Sequence, residues 1–278
     1  MRFLKYFLLL PLFFIALAVL LPANAAIRLS TEKFEFNVKP NDQYITGSFT
    51  VQNDDNEEIR FKAYPEYFEI SDEGTIRTGL NKESSEIITK NIRFNPTEFT
   101  LAPNGSQKIR FTIANVQNLP DGESRAALFL ENLKTKAQAL PTNNAKTSAN
   151  LVIKTRIAVP IYVEKGKVIK SGIISSVDLK KFKNKYTYAF NVKSTGNSII
   201  RVGGVGQIVK DGQLVNEFPV NERPVQGGST GKFKDIFTTK GLHTDQQYDL
   251  KLTLRYKDQD NREVVLKDEK PFKLSEIN

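Results

Sequence analysis

A two-residue alternation of apolar side chains recurs along the chain and constrains its fold more than any other feature. In the clearest instance, every second position is apolar: Tyr248, Leu250, Leu252, Leu254 and Tyr256. Because a β-strand turns successive side chains to opposite faces, this period gives one apolar face and one polar face. No convincing amphipathic helix pattern follows the first 25 residues. The chain is therefore expected to fold into antiparallel sheets.

Short strand patterns fill the first half and are separated by turn signals. Phe34, Phe36 and Val38 alternate, and Pro103-Asn104-Gly105 marks one of the turns. About seven short strands, with a turn roughly every eight to twelve residues, are typical of an immunoglobulin-like sandwich. The first half is therefore predicted to form one such sandwich.

The second half has strand and turn patterns of its own. Tyr186, Tyr188 and Phe190 alternate, and Asp211-Gly212 is a hairpin signal. We therefore predict an all-β chain of two immunoglobulin-like β-sandwich domains in tandem. Their predicted limits are 26–163 and 164–278.

Residues 1–25 have the pattern of a cleavable signal peptide. Arg2 and Lys5 precede an apolar run, and Ala23-Asn24-Ala25 fits a small-x-small cleavage site. An uncleaved membrane anchor is the alternative, but the apolar run is shorter than the roughly 20 residues that a spanning helix needs. The sequence predicts an exported protein with no stable membrane insertion after cleavage.

The composition argues against most enzymatic and metal chemistry. The chain has no cysteine, which excludes disulfides, cysteine metal sites and cysteine nucleophiles. Its single histidine, His243, lies in a polar turn, and a Ser-His-Asp triad could be built only around it. The acidic cluster at Asp258 and Asp260 lacks the spacing of a calcium loop. We predict no enzymatic activity, no cofactor and no metal.

Nucleic acids and small-molecule substrates are also not expected as partners. Lys and Arg exceed Asp and Glu by nine, a mild excess that favours acidic partners only weakly. The glycines Gly203, Gly204 and Gly206 lie between strand patterns with no helix after them, which argues against a nucleotide loop. Most aromatic residues alternate as core positions and do not form a base-stacking surface.

The stretch from Ser148 to Val163 is informative on both of its faces. Read as one strand, it places Ala149, Leu151, Ile153 and Thr155 on one side. A polar, turn-rich run precedes it. Its apolar side chains are candidates for filling their own sandwich, as in any last strand of an immunoglobulin-like domain.

Four sequence features follow one another over residues 26–160. They are the start Ala26-Ile27-Arg28-Leu29, the Phe94-Asn95-Pro96 and Leu101 to Arg110 region, the strand Arg125 to Leu133 after Pro120-Asp121-Gly122, and the strand Ala149 to Val159. Together they resemble the PapD-like periplasmic chaperones of the pilus chaperone–usher pathway. The second half is similar only in being sandwich-like.

The resemblance implies a function in pilus and fimbrium biogenesis. In that family the seventh strand is lent to a pilus subunit whose own fold lacks a strand. This implies that Ala149, Leu151, Ile153 and Thr155 form the subunit-binding strand. It also implies exported pilin-like subunits as partners, with an outer-membrane usher as a further candidate, and a periplasmic location.

The resemblance further implies a pair of cations that bind the subunit's terminal carboxylate. The first position aligns with Lys33, and the second aligns with the uncharged Ala158. Arg156 lies two residues earlier, has the same strand parity and is the candidate substitute. The departure at Ala158 favours a second hypothesis, an exported or cell-surface structural or adhesion protein of two immunoglobulin-like domains without chaperone activity.

Overall fold

The computed structural model describes residues 27–79, 86–133, 136–140, 149–153, 155–183 and 185–277. The predicted signal peptide at 1–25 lies outside these ranges. Strands dominate the described residues, which confirms the predicted all-β class. In these ranges no helix is long and apolar enough to cross a membrane.

The elements of the first half include one short helix, α1 (Glu86–Asn91), before the seventh strand. The strands are β1 (Ile27–Leu29), β2 (Phe34–Asn37), β3 (Tyr44–Asn53), β4 (Ile59–Glu66), β5 (Glu69–Ile70), β6 (Ile76–Arg77), β7 (Ile92–Asn95), β8 (Glu98–Leu101), β9 (Ser106–Ala114), β10 (Gly122–Asn132), β11 (Lys136–Leu140), β12 (Ala149–Ile153) and β13 (Arg156–Lys165). Short 3-10 helices lie at Val116–Asn118 in this half and at Leu274–Glu276 near the end of the chain.

The second half continues with seven described strands. They are β14 (Gly172–Phe182), β15 (Lys185–Ser194), β16 (Ile200–Lys210), β17 (Gln213–Val225), β18 (Thr230–Phe237), β19 (Gln247–Lys257) and β20 (Glu263–Lys273).

Two sheets form the first sandwich. One has the strand order β1-β3-β9-β7, and the other has the order β2-β13-β10-β4-β8. Alternating apolar residues from both sheets meet in one buried cluster that includes Phe49, Phe111, Leu128 and Ile161. β2 runs parallel to β13, with Phe34 opposite Ile161. β2 therefore covers one edge of β13 at residues 161–164.

The second sandwich has its own core between two further sheets. Their strand orders are β14-β15-β18 and β17-β16-β19-β20. The alternating apolar residues of β19, from Tyr248 to Tyr256, are all buried in this core. The prediction of two sandwiches in tandem is therefore confirmed. The predicted domain limits stay a prediction; β13 extends to Lys165 and β14 begins at Gly172.

A third apolar cluster connects the two halves. Phe68 and Ile70 pack with Phe129 and Tyr162 on the outer face of the five-stranded sheet, together with Ile199 from the second half. The backbone N–H of Ile70 also donates to the side chain of Gln226 at 3.0 Å. Residues of the β5–β6 hairpin and the adjacent Phe68 therefore contact the second sandwich.

Candidate functional site

The strand predicted as one unit from Ser148 to Val163 is divided into two. β12 ends at Ile153 and β13 begins at Arg156. β12 pairs antiparallel with β11, with Ala149 opposite Leu140 and Ile153 opposite Lys136. We call this two-stranded sheet, residues 136–140 and 149–153, the ribbon.

The ribbon extends the pairing of β10 with β13. The N–H of Asn132 donates to the carbonyl of Thr155 at 3.0 Å, just below the ribbon. Thr155 itself is exposed. Within the described strands, neither β11 nor β12 has a second neighbour. The predicted binding residues Ala149, Leu151 and Ile153 alternate along β12, and their side chains lie outside the described part of the structure.

The open edge of β12 continues into β13. β10 pairs with one side of β13 along its whole length, from Lys165 to Arg156. On the other side, β2 pairs only with residues 161–164. Residues 156–160 therefore have a neighbour on one side only among the described strands. Together with β12, they form what we call the open edge, residues 149–153 and 156–160.

A cleft of about 510 Å³ lies between the two sandwiches. Charged side chains of both signs line it, and both halves contribute to it. They include Lys33, Glu35, Glu123, Glu164, Lys170, Arg201, Glu222, Arg255 and Glu263. Lys33, one of the two predicted carboxylate-binding residues, thus lies in this cleft.

Lys33 and Arg201 share one carboxylate oxygen inside the cleft. Lys33 Nζ lies 2.7 Å and Arg201 Nη2 lies 3.0 Å from Oε1 of Glu35. Burial alone would raise the pKa of Glu35, but the hydrogen bonds and charges of the two cations outweigh it and hold this pKa below its ordinary value. Arg201 also lies over the ring of Tyr162, 5.4 Å from its centroid. The chain thus already binds a carboxylate between these two cations.

Arg156 belongs to a different network, on the outer face of the five-stranded sheet. Its Nη1 donates to the hydroxyl of Tyr64 at 3.2 Å and lies 3.4 Å from Oε2 of Glu66. Its guanidinium lies over the ring of Phe129 at 5.0 Å. The structure does not bring Arg156 together with Lys33: it is absent from the cleft lining, and no described residue bonds to both.

Arg201, the cation that shares the Glu35 carboxylate with Lys33, was not predicted from the sequence. It lies on β16 of the second sandwich, whereas the second cation was expected on the strand that contains Ala158. Ala158 itself packs against the third apolar cluster. No local sequence signal marks Arg201, because its proximity to Lys33 depends on how the two sandwiches meet.

Comparisons with known proteins give matches only among solved structures. No family model matches the chain, and no curated protein matches it. The complex of the CsuC chaperone with the CsuE tip adhesion subunit from Acinetobacter baumannii is 12% identical, covers 87% of this chain and 98% of that chain, and has a TM-score of 0.46.

Two further matches have similar coverage. The CupB2 chaperone of Pseudomonas aeruginosa is 13% identical over 86% of this chain and 98% of that chain, with a TM-score of 0.39. The Salmonella enterica SafA pilin in complex with the SafB chaperone is 11% identical over 90% and 97%, with a TM-score of 0.40. Each match therefore spans parts of both sandwiches of this chain.

Proposed function

We propose that this chain is a divergent PapD-like periplasmic chaperone that binds exported pilin-like subunits by donating a strand. The observation that supports it best is the open edge, where β12 and residues 156–160 have a neighbour on one side only among the described strands. The unpaired N–H and C=O groups of such an edge can pair with a strand of another chain. No catalytic step and no cofactor enter this function.

The physical basis of the proposal is β-augmentation. A subunit that lacks one strand presents unpaired N–H and C=O groups above an apolar groove. An added strand pairs with the main chain and fills the groove with alternate side chains. Leu151 and Ile153 would each contribute roughly 1.5–3 kcal/mol on full burial, with Ala149 contributing less. Exchange of this strand for that of another subunit would drive assembly without ATP.

We place the subunit's terminal carboxylate at Lys33 and Arg201. Both cations already bind the Glu35 carboxylate, so the site has the charge and spacing for a carboxylate group. In this arrangement the incoming carboxylate displaces that of Glu35. The pair Lys33 and Arg156 is the alternative that the sequence suggested.

The test of strand donation is a pull-down of tagged protein from the periplasm. The test variant combines Leu151→Glu with Ile153→Glu, and its control combines Asn150→Glu with Val152→Glu on the opposite parity of the same strand. We expect a small β-rich protein to co-purify with wild type and with the control, and to be lost from the test variant. Circular dichroism first establishes that both variants are folded.

Either of two results would overturn strand donation. One is a wild-type protein that brings down nothing, and the other is a test variant that keeps its partner. The structural or adhesion protein on the cell surface, with no chaperone activity, would then replace it as the proposed function. The location in the periplasm and an usher as a further partner depend on the same result.

The carboxylate site is tested with the co-purifying subunit. Loss of one charge-assisted hydrogen bond costs about 1.5–3 kcal/mol, or roughly 10-fold to 150-fold in affinity. We expect such a loss for Lys33→Ala and Arg201→Ala, and an unchanged affinity for Arg156→Ala. The opposite ranking of Arg201→Ala and Arg156→Ala in calorimetric titrations would restore the sequence-derived pair.

A further inference from the structure

The two sandwiches meet through a short segment of the second, residues 197–199, that lies against the start of β10. The N–H of Glu123 donates to the carbonyl of Asn197, and the N–H of Ile199 donates to Oε2 of Glu123, both at 3.1 Å. Gly122 has a φ of 96°, and a Cβ there would lie 2.8 Å from the carbonyl oxygen of Asn197. The backbones of the two halves are thus in close contact at this point.

Two carboxylates of the first sandwich meet at one buried hydroxyl of the second. Ser198 Oγ lies 3.3 Å from Oε2 of Glu123 and in short contact with Oε1 of Glu164. Ser198 and the side chain of Glu123 are fully buried. A serine hydroxyl has a single proton to donate. With both carboxylates ionised, one of them therefore faces an oxygen lone pair without a proton between them.

The cations nearby do not supply the missing proton between these oxygens. Arg125 Nη2 lies 3.0 Å from Oε1 of Glu123, and Ser198 contacts the other oxygen, Oε2. Lys170 Nζ lies 2.7 Å from Oε1 of Glu164. Further ionisable neighbours among the described residues include Tyr162 on β13 and Arg201 on β16, which contact each other. Three oxygens therefore meet at this contact with one proton among them: Ser198 Oγ, Glu123 Oε2 and Glu164 Oε1.

We propose that the contact of Glu123, Ser198 and Glu164, which we call the latch, holds the two sandwiches together in a proton-dependent way. With a proton on its carboxyl group, Glu123 donates to Ser198 and Ser198 donates to Glu164, so the chain of hydrogen bonds across the junction is complete. Loss of that proton leaves two carboxylates opposed at one hydroxyl and loosens the contact. The latch is independent of strand donation.

The acid–base properties of Glu123 agree with this geometry. Burial raises the pKa of its carboxyl group, and the charge of Glu164 adds to this, while Arg125, Ile199 and Ser198 act in the opposite direction without cancelling it. A carboxyl whose pKa is raised by folding stabilises the folded state most below its ordinary value of 4.5. That contribution is lost as the pH rises through the folded pKa.

The experiment measures the relation between the two sandwiches by single-molecule energy transfer. Because the chain has no cysteine, Lys108→Cys on β9 and Lys267→Cys on β20 give two unique dye sites. We expect the wild-type distribution to be narrow below the titration midpoint of Glu123 and broader above it. Glu123→Gln has no titratable proton at this position, so its distribution is expected to have the same width at every pH. Glu98→Gln on β8 serves as the control and behaves as wild type.

A carbon-13 titration of the Glu123 carboxyl in the unsubstituted protein provides a second measurement, which holds even where a variant fails to fold. The latch requires a titration midpoint above 4.5 and a lower midpoint in Glu164→Gln, which removes the negative charge that raises the pKa of Glu123. Energy transfer that is independent of pH in wild type, or a Glu123 midpoint at or below 4.5, would overturn the latch. Neither result bears on strand donation.

Discussion

The two ends of the β10–β13 pair differ in how many neighbours β13 has. At the lower end, which is the C-terminal part of β13, residues 161–164 lie between β10 and β2, and Ile161 and Val163 are fully buried in the first core. At the upper end, which is residues 156–160, β2 does not pair with β13, and the pairing with β10 continues into the ribbon. The same alternation of apolar residues runs through both ends.

This difference teaches that alternation specifies a strand with an apolar face but does not specify what covers that face or its edge. At the lower end the face packs into the protein's own core and the edge is occupied. At the upper end one edge has no neighbour among the described strands. Of the two interpretations that the sequence left open for the stretch from Ser148 to Val163, own core holds for Val159, Ile161 and Val163, which are buried in the first core. The lent strand stays a proposal for the open edge.

The largest expected effect separates the two ends by their stability. Ile161→Ala removes a fully buried side chain from the lower end and is expected to lower the free energy of unfolding by about 2–5 kcal/mol. Ile157→Ala is the matched control, since it has the same residue type and parity on the same strand but is only partly buried. Urea denaturation measures both, and equal losses would show that the two ends are not different.

An intermediate effect is expected when the covering strand is weakened. Phe34 lies on β2, 4.9 Å from the ring of Phe111 and 5.8 Å from that of Phe36. Because this ring is partly buried, we expect Phe34→Ala to cost about 2 kcal/mol. We also expect amide exchange to speed up at residues 161–164, where β2 pairs, with no change at β4. Unchanged exchange there would mean that β2 does not protect this edge.

The smallest effect on stability is expected at the ribbon. A hairpin of two strands adds little stability of its own, and a shorter connection lowers the entropic cost of joining β10 to β13. Replacing Lys134 to Lys154 by an Asn-Gly turn should therefore lower the free energy of unfolding by less than about 1 kcal/mol. The same deletion should abolish capture of the subunit. A loss of several kcal/mol would place the ribbon in the protein's own core.

The sequence allowed the fold to be predicted well and the cleft only in part. Tyr248 to Tyr256 alternate and are buried, because burial of one strand face follows from local pattern. The parallel pairing of β2 with β13 left no such trace, since it joins residues far apart in the chain. Arg201 was missed for the same reason. Contacts between two sandwiches depend on how the sandwiches are placed relative to each other, and a local sequence pattern does not predict that placement.

The parallel pairing of β2 with β13 also bears on the order of folding. Residues 34–37 precede residues 161–164 by nearly the whole first sandwich, so their contact closes one of the longest loops in that domain. Local hairpins such as β5 with β6 close much shorter loops, and long-range pairings form more slowly. We therefore expect β13 to be unpaired on that side along its full length until β2 pairs with it. The native open edge is the part of that early edge that no described strand covers.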